Sequence, residues 1–207
     1  MNVIKHTKYI WELENFIPED EIDYFLGAFE FHNPVLDESF RNDVRRNDTY
    51  NIGAYPEIDE IAWRWINSAR SYYTNNNDWM YYGWPNGMID TYEWSGKNVV
   101  RIYNKNDTYN WHTDHSPENV AEISLIAYLN DDFTGGRTLF LNDKLAVEPK
   151  KGTVLCFPVD HFHVHKGTKL MSGTKKIIWN CLYRQKISNA SDGRPWTVAP
   201  RSKRCIW

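Results

Sequence analysis

A histidine and an aspartate separated by one residue, His112 and Asp114, could together bind a metal ion. Residues two apart in an extended segment project to the same face, so the imidazole and the carboxylate could reach one ion together. Two histidines and one carboxylate on one side of a metal leave the opposite coordination positions open, which suits Fe(II). Zinc more often takes a tightly held set of three or four ligands. The pair alone is a weak signal, because a surface histidine beside a solvated aspartate has the same sequence.

Three histidines near residue 160 are candidates for the second imidazole: His161, His163 and His165. They alternate along the chain and would share one face of a strand, so periodicity does not choose among them. A strand-like run then begins at Lys175, after Gly173 and Thr174. A lysine facing inward there could pair, as a compact point charge, with the far carboxylate of a small diacid. Taken alone, Lys175 would be read as an exposed lysine at the start of a strand.

The first part of the chain contains two segments with the periodicity of amphipathic helices. Pro18 and the acidic residues after it are typical of a helix start, and a second helix is expected from Pro56 to about Tyr73. The apolar positions predicted to face the core are Ile22, Phe25, Leu26 and Phe29 in the first helix and Ile58, Ile61, Trp65 and Ile66 in the second.

From about Met88 the pattern becomes that of short strands separated by turn residues such as Ser95-Gly96 and Gly135-Gly136. The candidate strands are Met88–Trp94, Val99–Tyr103, Glu122–Leu129, Thr138–Leu141, Gly152–Phe157 and Lys175–Tyr183. Helices followed by a block of strands predict a mainly β fold with α: a double-stranded β-helix (jelly roll, cupin-like) with N-terminal supporting helices. We expect one domain over residues 1–207, comprising a helical support region (1–87), a jelly-roll catalytic core (88–185) and a basic C-terminal tail (186–207).

Composition argues against several other classes of protein. The chain has 207 residues and a formal net charge of −3, so no overall basic excess points to nucleic acid. Its three cysteines lack CxxC spacing, which argues against a disulfide framework or a zinc ribbon. Acidic residues stand where a signal peptide would need an apolar run, and no segment approaches a membrane span. We therefore expect a cytoplasmic protein without nucleic-acid or membrane partners.

Four pieces of sequence between about Val99 and Arg184, in the right order, resemble the prolyl-4-hydroxylase-like branch of the 2-oxoglutarate/Fe(II) dioxygenases, particularly its compact microbial and phage-type members. The stretch from Tyr103 to Asp114 is similar to the family's Tyr-x-x-Gly-x-x-Tyr-x-x-His-x-Asp. Tyr128-Leu-Asn, an acidic loop and Gly135-Gly136 resemble a second conserved piece. Phe157-Pro158 stands seven residues before His165, and the lysine of Gly-x-Lys stands ten residues after it. Both of these family spacings select His165.

The resemblance implies a role for each matching residue. Metal ligation is implied for His112, Asp114 and His165, binding of the 5-carboxylate of 2-oxoglutarate for Lys175, and cosubstrate hydrogen bonds for Tyr128 and Tyr103. The cofactors implied are Fe(II), 2-oxoglutarate as cosubstrate and O2, with ascorbate as a candidate reductant. A phage-encoded member would work in the cytoplasm of its host cell.

The resemblance also implies a reaction, the hydroxylation of a peptidyl side chain with release of succinate and CO2. Our first choice of substrate is proline in a peptide or protein. The alternatives are hydroxylation of a free amino acid or other small metabolite and a non-catalytic cupin-like binding module.

The sequence departs from the family pattern at several positions. Asn106 stands for a glycine, and Lys169-Leu170 for the usual Pro-Val. More seriously, Ala121 stands where prolyl hydroxylases carry an arginine that helps to hold the substrate, and Cys181 stands for a tryptophan, although Trp179 lies on the same strand face. The cofactor machinery is retained, whereas part of the substrate grip differs.

Overall fold

The computed structural model describes residues 1–38, 42–77, 92–114, 122–142 and 144–186, with backbone alone for 92–95 and 184–186. The start of the predicted strand at Met88, the departure at Ala121 and residues 187–207 of the predicted tail lie outside the described residues. Neither helix in these ranges has the length and hydropathy of a membrane span.

Both predicted helices form, at α1 Glu19–His32 and α2 Pro56–Asn75. Acidic residues occupy the first turn of each helix, where they complement the positive end of the helix dipole. Asn33 ends α1 in the left-handed conformation (φ 45°) that asparagine tolerates. Each helix buries the predicted stripe against the core, except that Leu26 and Ile61 are only partly buried.

The described residues contain fifteen strands. They are β1 Asn2–Lys5, β2 Trp11–Glu14, β3 Arg45–Arg46, β4 Asp48–Asn51, β5 Tyr92–Ser95, β6 Val99–Tyr103, β7 Thr108–His112, β8 Ile123–Tyr128, β9 Thr134–Gly135, β10 Thr138–Phe140, β11 Leu145–Val147, β12 Val154–Pro158, β13 His165–Gly167, β14 Leu170–Ser172 and β15 Lys175–Lys186.

Most of these strands form two antiparallel sheets. The major sheet has the order β1-β2-β12-β8-β15-β6-β4, with β5 paired to β15, and the minor sheet has the order β11-β10-β13-β7-β3. A separate two-stranded sheet joins β14 and β9. This arrangement, with helices beside the major sheet, is the double-stranded β-helix predicted from the sequence, and the prediction is confirmed.

The two faces of the major sheet have different partners. In β8, Leu125 and Ala127 belong to an apolar cluster with the helices, whereas Ile126 and Tyr128 belong to a second cluster that includes Phe140 of the minor sheet. Because side chains alternate along a strand, the major sheet has a supporting face, which packs on the helices, and an inner face, which packs towards the minor sheet. The space between the sheets, lined by the inner face, is where the candidate site lies.

The expected order of helices first and strands second is wrong for the N-terminal part of the chain. β1 and β2 precede α1 and extend the major sheet beside β12, while β3 and β4 lie between the helices. These strands have two to four residues. Such short segments show little periodicity of their own, and pairing makes them extended: β1 pairs with β2, whereas β2, β3 and β4 each pair with a strand distant in sequence.

Candidate metal and cosubstrate site

Two neighbouring strands of the minor sheet bring the histidines together. β7 ends at His112, β13 begins at His165, and these two residues are directly opposed in the antiparallel register. Directly opposed residues have side chains on the same face, and here the imidazole centroids lie 4.3 Å apart. Asp114 follows β7 by two residues and brings its carboxylate to the same point.

The donor atoms of these three side chains surround a common point. Nε2 of His112 lies 3.5 Å from Oδ1 of Asp114, and Nε2 of His165 lies 3.5 Å from Oδ2 of the same carboxylate. All three donor groups lie within 4.8 Å of one another. Ligand atoms about 2.0–2.2 Å from a metal lie about 3 Å apart when they subtend a right angle, so small movements would give a coordination sphere. The set therefore fits one ion.

The outer nitrogens of both imidazoles are already bound. Nδ1–H of His112 donates to the carbonyl oxygen of Asn110 at 2.7 Å, and Nδ1–H of His165 donates to the carbonyl oxygen of His163 at 3.0 Å. These bonds select the tautomer in which each Nε2 carries a free lone pair. Nε2 of His112 is buried and has no hydrogen-bond partner among the described residues. A buried acceptor of this kind is costly unless a ligand completes it, which is what a metal would do.

The Asp114 carboxylate is held from the major sheet. Ser124 Oγ donates to Oδ2 at 2.7 Å, and Trp179 Nε1 lies 3.4 Å from the same oxygen. Burial alone would raise the pKa of this carboxyl, but the neighbouring His165, His112 and Arg101 outweigh it and lower the pKa well below its usual range. The carboxylate is therefore ionised and able to ligate a cation.

Burial makes His165 a neutral imidazole, the form that binds metal. Its side chain is 5% exposed, and this desolvation lowers its pKa to about 4 against the opposing attraction of Asp114. Phe140 and Phe157 pack around the ring, with centroids 5.7 and 4.8 Å away.

The other two candidate histidines have different surroundings. His163 is buried, but its Nδ1 lies 2.7 Å from Asp160 Oδ1 and its ring packs edge-on against Tyr9. His161 is exposed. Of the three histidines, the structure places His165 beside Asp114, as the family spacings predict.

Lys175 lies inside the molecule, not at its surface. It begins β15 opposite Tyr103 of β6, and it is 4% exposed. Its ammonium donates to the carbonyl oxygen of Gly136 at 2.5 Å and lies 5.4 and 5.2 Å from the ring centroids of Tyr103 and Tyr128. Within the described ranges it forms no ion pair with a carboxylate, and burial lowers its pKa to about 7. An anion would complete this site.

The two tyrosines expected to contact the cosubstrate line the same space. Tyr128 is fully buried, with its hydroxyl 3.0 Å from Thr138 Oγ1, and Tyr103 is nearly so. Burial raises the pKa of both hydroxyls, so both are protonated and available as donors. In Tyr103 the positive charge of Arg101 opposes this effect.

Sequence reasoning missed Arg101, Tyr109 and Ser124 as components of this site. The Tyr109 ring stacks on His112 with centroids 3.5 Å apart. Arg101 lines the same pocket, and its guanidinium lies 3.9 Å from the Trp179 ring centroid. Arg101 stands two residues before Tyr103, which is the period that places side chains on one strand face, so the alternation of β6 contained the signal.

Part of the chain matches a known family. Residues 98–184 match the family model of the 2OG-Fe(II) oxygenase superfamily. Over these residues, which are under half of the chain, the sequence is similar to that superfamily. The family is one that uses Fe(II), 2-oxoglutarate and O2. A search of the curated proteins gives no match.

Solved structures of prolyl hydroxylases share the fold. The viral collagen prolyl hydroxylase of Paramecium Bursaria Chlorella virus-1, in its 2OG complex, superposes with a TM-score of 0.65 at 21% identity, covering 85% of this chain and 96% of that chain. A Pseudomonas putida prolyl-4-hydroxylase gives a TM-score of 0.65 at 17% identity, with 86% and 93% covered. A Trichoplax adhaerens prolyl hydroxylase, in complex with a hypoxia inducible factor oxygen degradation domain peptide fragment, gives 0.65 at 16% identity, with 86% and 84% covered.

Proposed function

We propose that this chain hydroxylates a peptidyl side chain, with proline as the first substrate to test, and releases succinate and CO2. The observation that carries the proposal is the convergence of His112, Asp114 and His165 on one point with their donor atoms directed inward. A set of two histidines and one carboxylate with open positions opposite suits non-haem Fe(II) oxygenases.

His112, Asp114 and His165 are proposed as the metal ligands. Bound Fe(II) would supply the oxidative chemistry that couples O2 and 2-oxoglutarate to hydroxylation of the substrate. The backbone carbonyls of Asn110 and His163 hold the two imidazoles in the tautomer required, so the ligands need little reorganisation. Ser124 holds the carboxylate in the same way from the opposite sheet.

Lys175 is proposed to bind the 5-carboxylate of 2-oxoglutarate. The lysine and the ligand histidines line one pocket between the two sheets. A small diacid would therefore be able to contact the lysine with one end and approach the metal ligands with the other. Tyr128 and Tyr103 flank the ammonium and would donate hydrogen bonds to the same carboxylate. Their burial excludes water, which strengthens a charge-assisted contact.

The proposal of a peptide substrate is supported by the relatives. Each of the solved structures compared above is a prolyl hydroxylase, and the Trichoplax protein holds a peptide fragment. At these low identities the likeness concerns the fold, and a shared fold does not fix a substrate. The substrate must therefore be decided by assay.

The test is a mass-spectrometric assay of purified protein with Fe(II), 2-oxoglutarate and O2. Proline-containing peptides are compared with an equimolar mixture of free amino acids, each with and without ascorbate. We expect a gain of one oxygen on a peptide, with succinate release that rises when the peptide is added. A modified free amino acid with no modified peptide would reject the peptidyl assignment, and absence of succinate under every condition would favour a non-catalytic binding module.

A matched control tests whether loss of turnover is specific to a proposed iron ligand. His161→Ala changes an exposed histidine four residues from His165. We expect this variant to retain turnover, whereas His165→Ala loses it. Ascorbate is expected to prolong turnover by reducing iron that has become oxidised, and an identical time course without it would remove ascorbate from the proposed cofactors.

A further inference from the structure

Arg101 is a buried cation in the pocket that the roles proposed above do not use. It lies on β6, two residues before Tyr103 and on the same inner face, and it is 3% exposed. Its guanidinium stacks on Trp179 at 3.9 Å and lies 5.4 Å from the Tyr109 ring centroid. Trp179 in turn contacts Asp114, which places the guanidinium at the metal end of the pocket.

Among the described residues, no carboxylate pairs with the Arg101 guanidinium. Arg101 forms no ion pair within these ranges, and its Nε is buried with no hydrogen-bond partner there. The acidic residue whose pKa it lowers is Asp114, which the proposed metal would already engage. The neighbouring Tyr103 hydroxyl, to which it donates, is neutral. A buried cation is costly unless a counter-charge completes it, so the site favours an anionic ligand.

The charge balance of the pocket leaves room for a second anion. Fe(II) and the dianion of 2-oxoglutarate would cancel each other, and Lys175 and Asp114 are of opposite sign. Arg101 then remains, and Arg45 adds to it from β3, because its guanidinium lies 4.6 Å from the Tyr109 ring and donates to the Tyr109 hydroxyl at 2.5 Å. Tyr109 is therefore flanked by two arginines on the side of the pocket that holds His112.

We propose that Arg101 binds a carboxylate of the primary substrate, so that the preferred peptide carries an acidic residue beside the residue that is hydroxylated. The Arg101 guanidinium lies over the Trp179 ring at 3.9 Å, and the planar fork of N–H donors of a guanidinium matches the geometry of a carboxylate. This inference rests on the proposed function, since it names the peptide class that the same site accepts. Arg45 would strengthen the local positive potential.

The test compares three short peptides that differ in one side chain: Glu-Pro-Gly, Gln-Pro-Gly and Lys-Pro-Gly, each blocked at both ends. Gln is nearly isosteric with Glu, so the pair isolates the charge. We expect kcat/KM for the Glu peptide to exceed that for the Gln peptide by about 10- to 100-fold, as for the loss of one charge-assisted contact, mainly through KM. The Lys peptide should be the poorest of the three.

Variants assign the preference to this residue. Arg101→Met keeps an apolar stem against Trp179 but removes the charge, and it should reduce the difference between the Glu and Gln peptides to near unity. Arg101→Lys should retain part of it. Arg64→Met is the matched control, because Arg64 is an exposed arginine paired with Glu21 between the helices. Thermal unfolding reports whether the buried variants fold, and the wild-type peptide series needs no variant at all.

Binding without turnover separates this inference from the proposed function. Calorimetry is done with Mn(II) and 2-oxoglutarate under anaerobic conditions, using the same three peptides. Selective binding of the Glu peptide supports the inference even where no peptide is hydroxylated, an outcome that would reject only the proposed reaction. Equal binding of the Glu and Gln peptides to the wild-type protein overturns the inference that Arg101 binds a substrate carboxylate. A rise in the KM for 2-oxoglutarate in Arg101→Met equal to the rise for the peptide also overturns it, because the arginine would then contact the cosubstrate.

Discussion

The two ends of the pocket are built on different principles. At the metal end, the two Nδ1 atoms are bound by backbone carbonyls and Asp114 is bound by Ser124, so the ligands are already oriented. At the other end, Lys175 is a buried cation whose ammonium donates to the carbonyl oxygen of Gly136. At the metal end, the polar atoms of the three side chains have hydrogen-bond partners except for those that would face a metal. The second end has a charge that the ligand itself must balance.

The two ends also belong to different sheets. His112 and His165 come from β7 and β13 of the minor sheet, whereas Lys175, Tyr128 and Tyr103 come from β15, β8 and β6 of the major sheet. Asp114 joins the two, because it follows β7 and is held by Ser124 and Trp179 of the major sheet. Changes at the metal end should therefore affect metal binding without greatly changing the fold, and changes at the lysine end should affect cosubstrate affinity and stability together.

The largest effect is expected from Asp114→Ala. It removes the one carboxylate of the set, so iron-dependent succinate release should fall below detection, with a loss in metal affinity of more than about 100-fold, the upper range for outer-shell changes. Metal affinity is measured by calorimetry with Mn(II), and circular dichroism monitors the fold. Retained Mn(II) affinity in a folded variant would contradict the assignment of Asp114.

A second large effect should distinguish two buried histidines that stand two residues apart in the sequence. His165→Ala removes a proposed ligand and should abolish turnover, whereas His163→Ala removes a contact with Asp160 and Tyr9 and should be milder. Succinate release under saturating iron ranks the two variants. The reverse ranking would assign the metal to His163.

Lys175→Met should raise the 2-oxoglutarate requirement and leave the metal end intact. Loss of a charge-assisted contact of about 1.5–3 kcal/mol corresponds to a rise in KM of about 10- to 100-fold. Initial rates over a range of 2-oxoglutarate concentrations measure it, and Mn(II) affinity without cosubstrate serves as the control. An unchanged KM would show that the cosubstrate binds elsewhere.

Although Lys175→Met should weaken cosubstrate binding, it should increase the stability of the protein without ligands. Burial lowers the pKa of Lys175 from an ordinary 10.5 to about 7, so the unfolded chain binds more protons than the folded chain between these values. The free energy of unfolding of the protein without ligands should therefore rise with pH from about 7 towards 10.5. Lys175→Met should remove this residue's contribution, and urea unfolding of both proteins at pH 7 and pH 9 compares them. An equal pH dependence in the two would contradict the depressed pKa.

The smallest effect is expected from Ser124→Ala. It removes a hydrogen bond to Asp114 Oδ2 while Trp179 remains beside the same oxygen. A reduction in metal affinity of about 10-fold is expected, the lower end of the range for residues that orient a ligand. Calorimetry with Mn(II) measures this change, and Ser172→Ala is a control at an exposed serine on β14. A loss as large as that in Asp114→Ala would show that Ser124 has a larger role than orienting the carboxylate.

The sequence predicted the central strands because their side chains alternate between two buried faces. β6 was predicted with its bounds, and β8 and β12 differ from the prediction by one or two residues at each end. β1 and β2 were missed, because these four-residue strands become extended when β2 pairs with β12, a partner far away in sequence, and β1 adds to the edge of β2. Propensity is a weak guide where such long-range pairing decides the conformation.

The residues of the site were predictable to different degrees. His165 was selected among three histidines by family spacing, since local periodicity is the same for all three. Lys175 had no local sign of burial, and its environment depends on Tyr103, Tyr128 and Gly136 from other strands. The alternation of β6 indicates that Arg101 shares a face with Tyr103, but its contact with Trp179 arises only when β6 and β15 pair.

Anomalous diffraction at the iron edge, from crystals grown anaerobically with Fe(II) and 2-oxoglutarate, tests the metal assignment most directly. We expect one iron atom per chain, ligated by His112 Nε2, His165 Nε2 and an oxygen of Asp114, with the far carboxylate of 2-oxoglutarate at Lys175. Iron bound at His161 or His163 instead, or cosubstrate remote from Lys175, would contradict the proposed site.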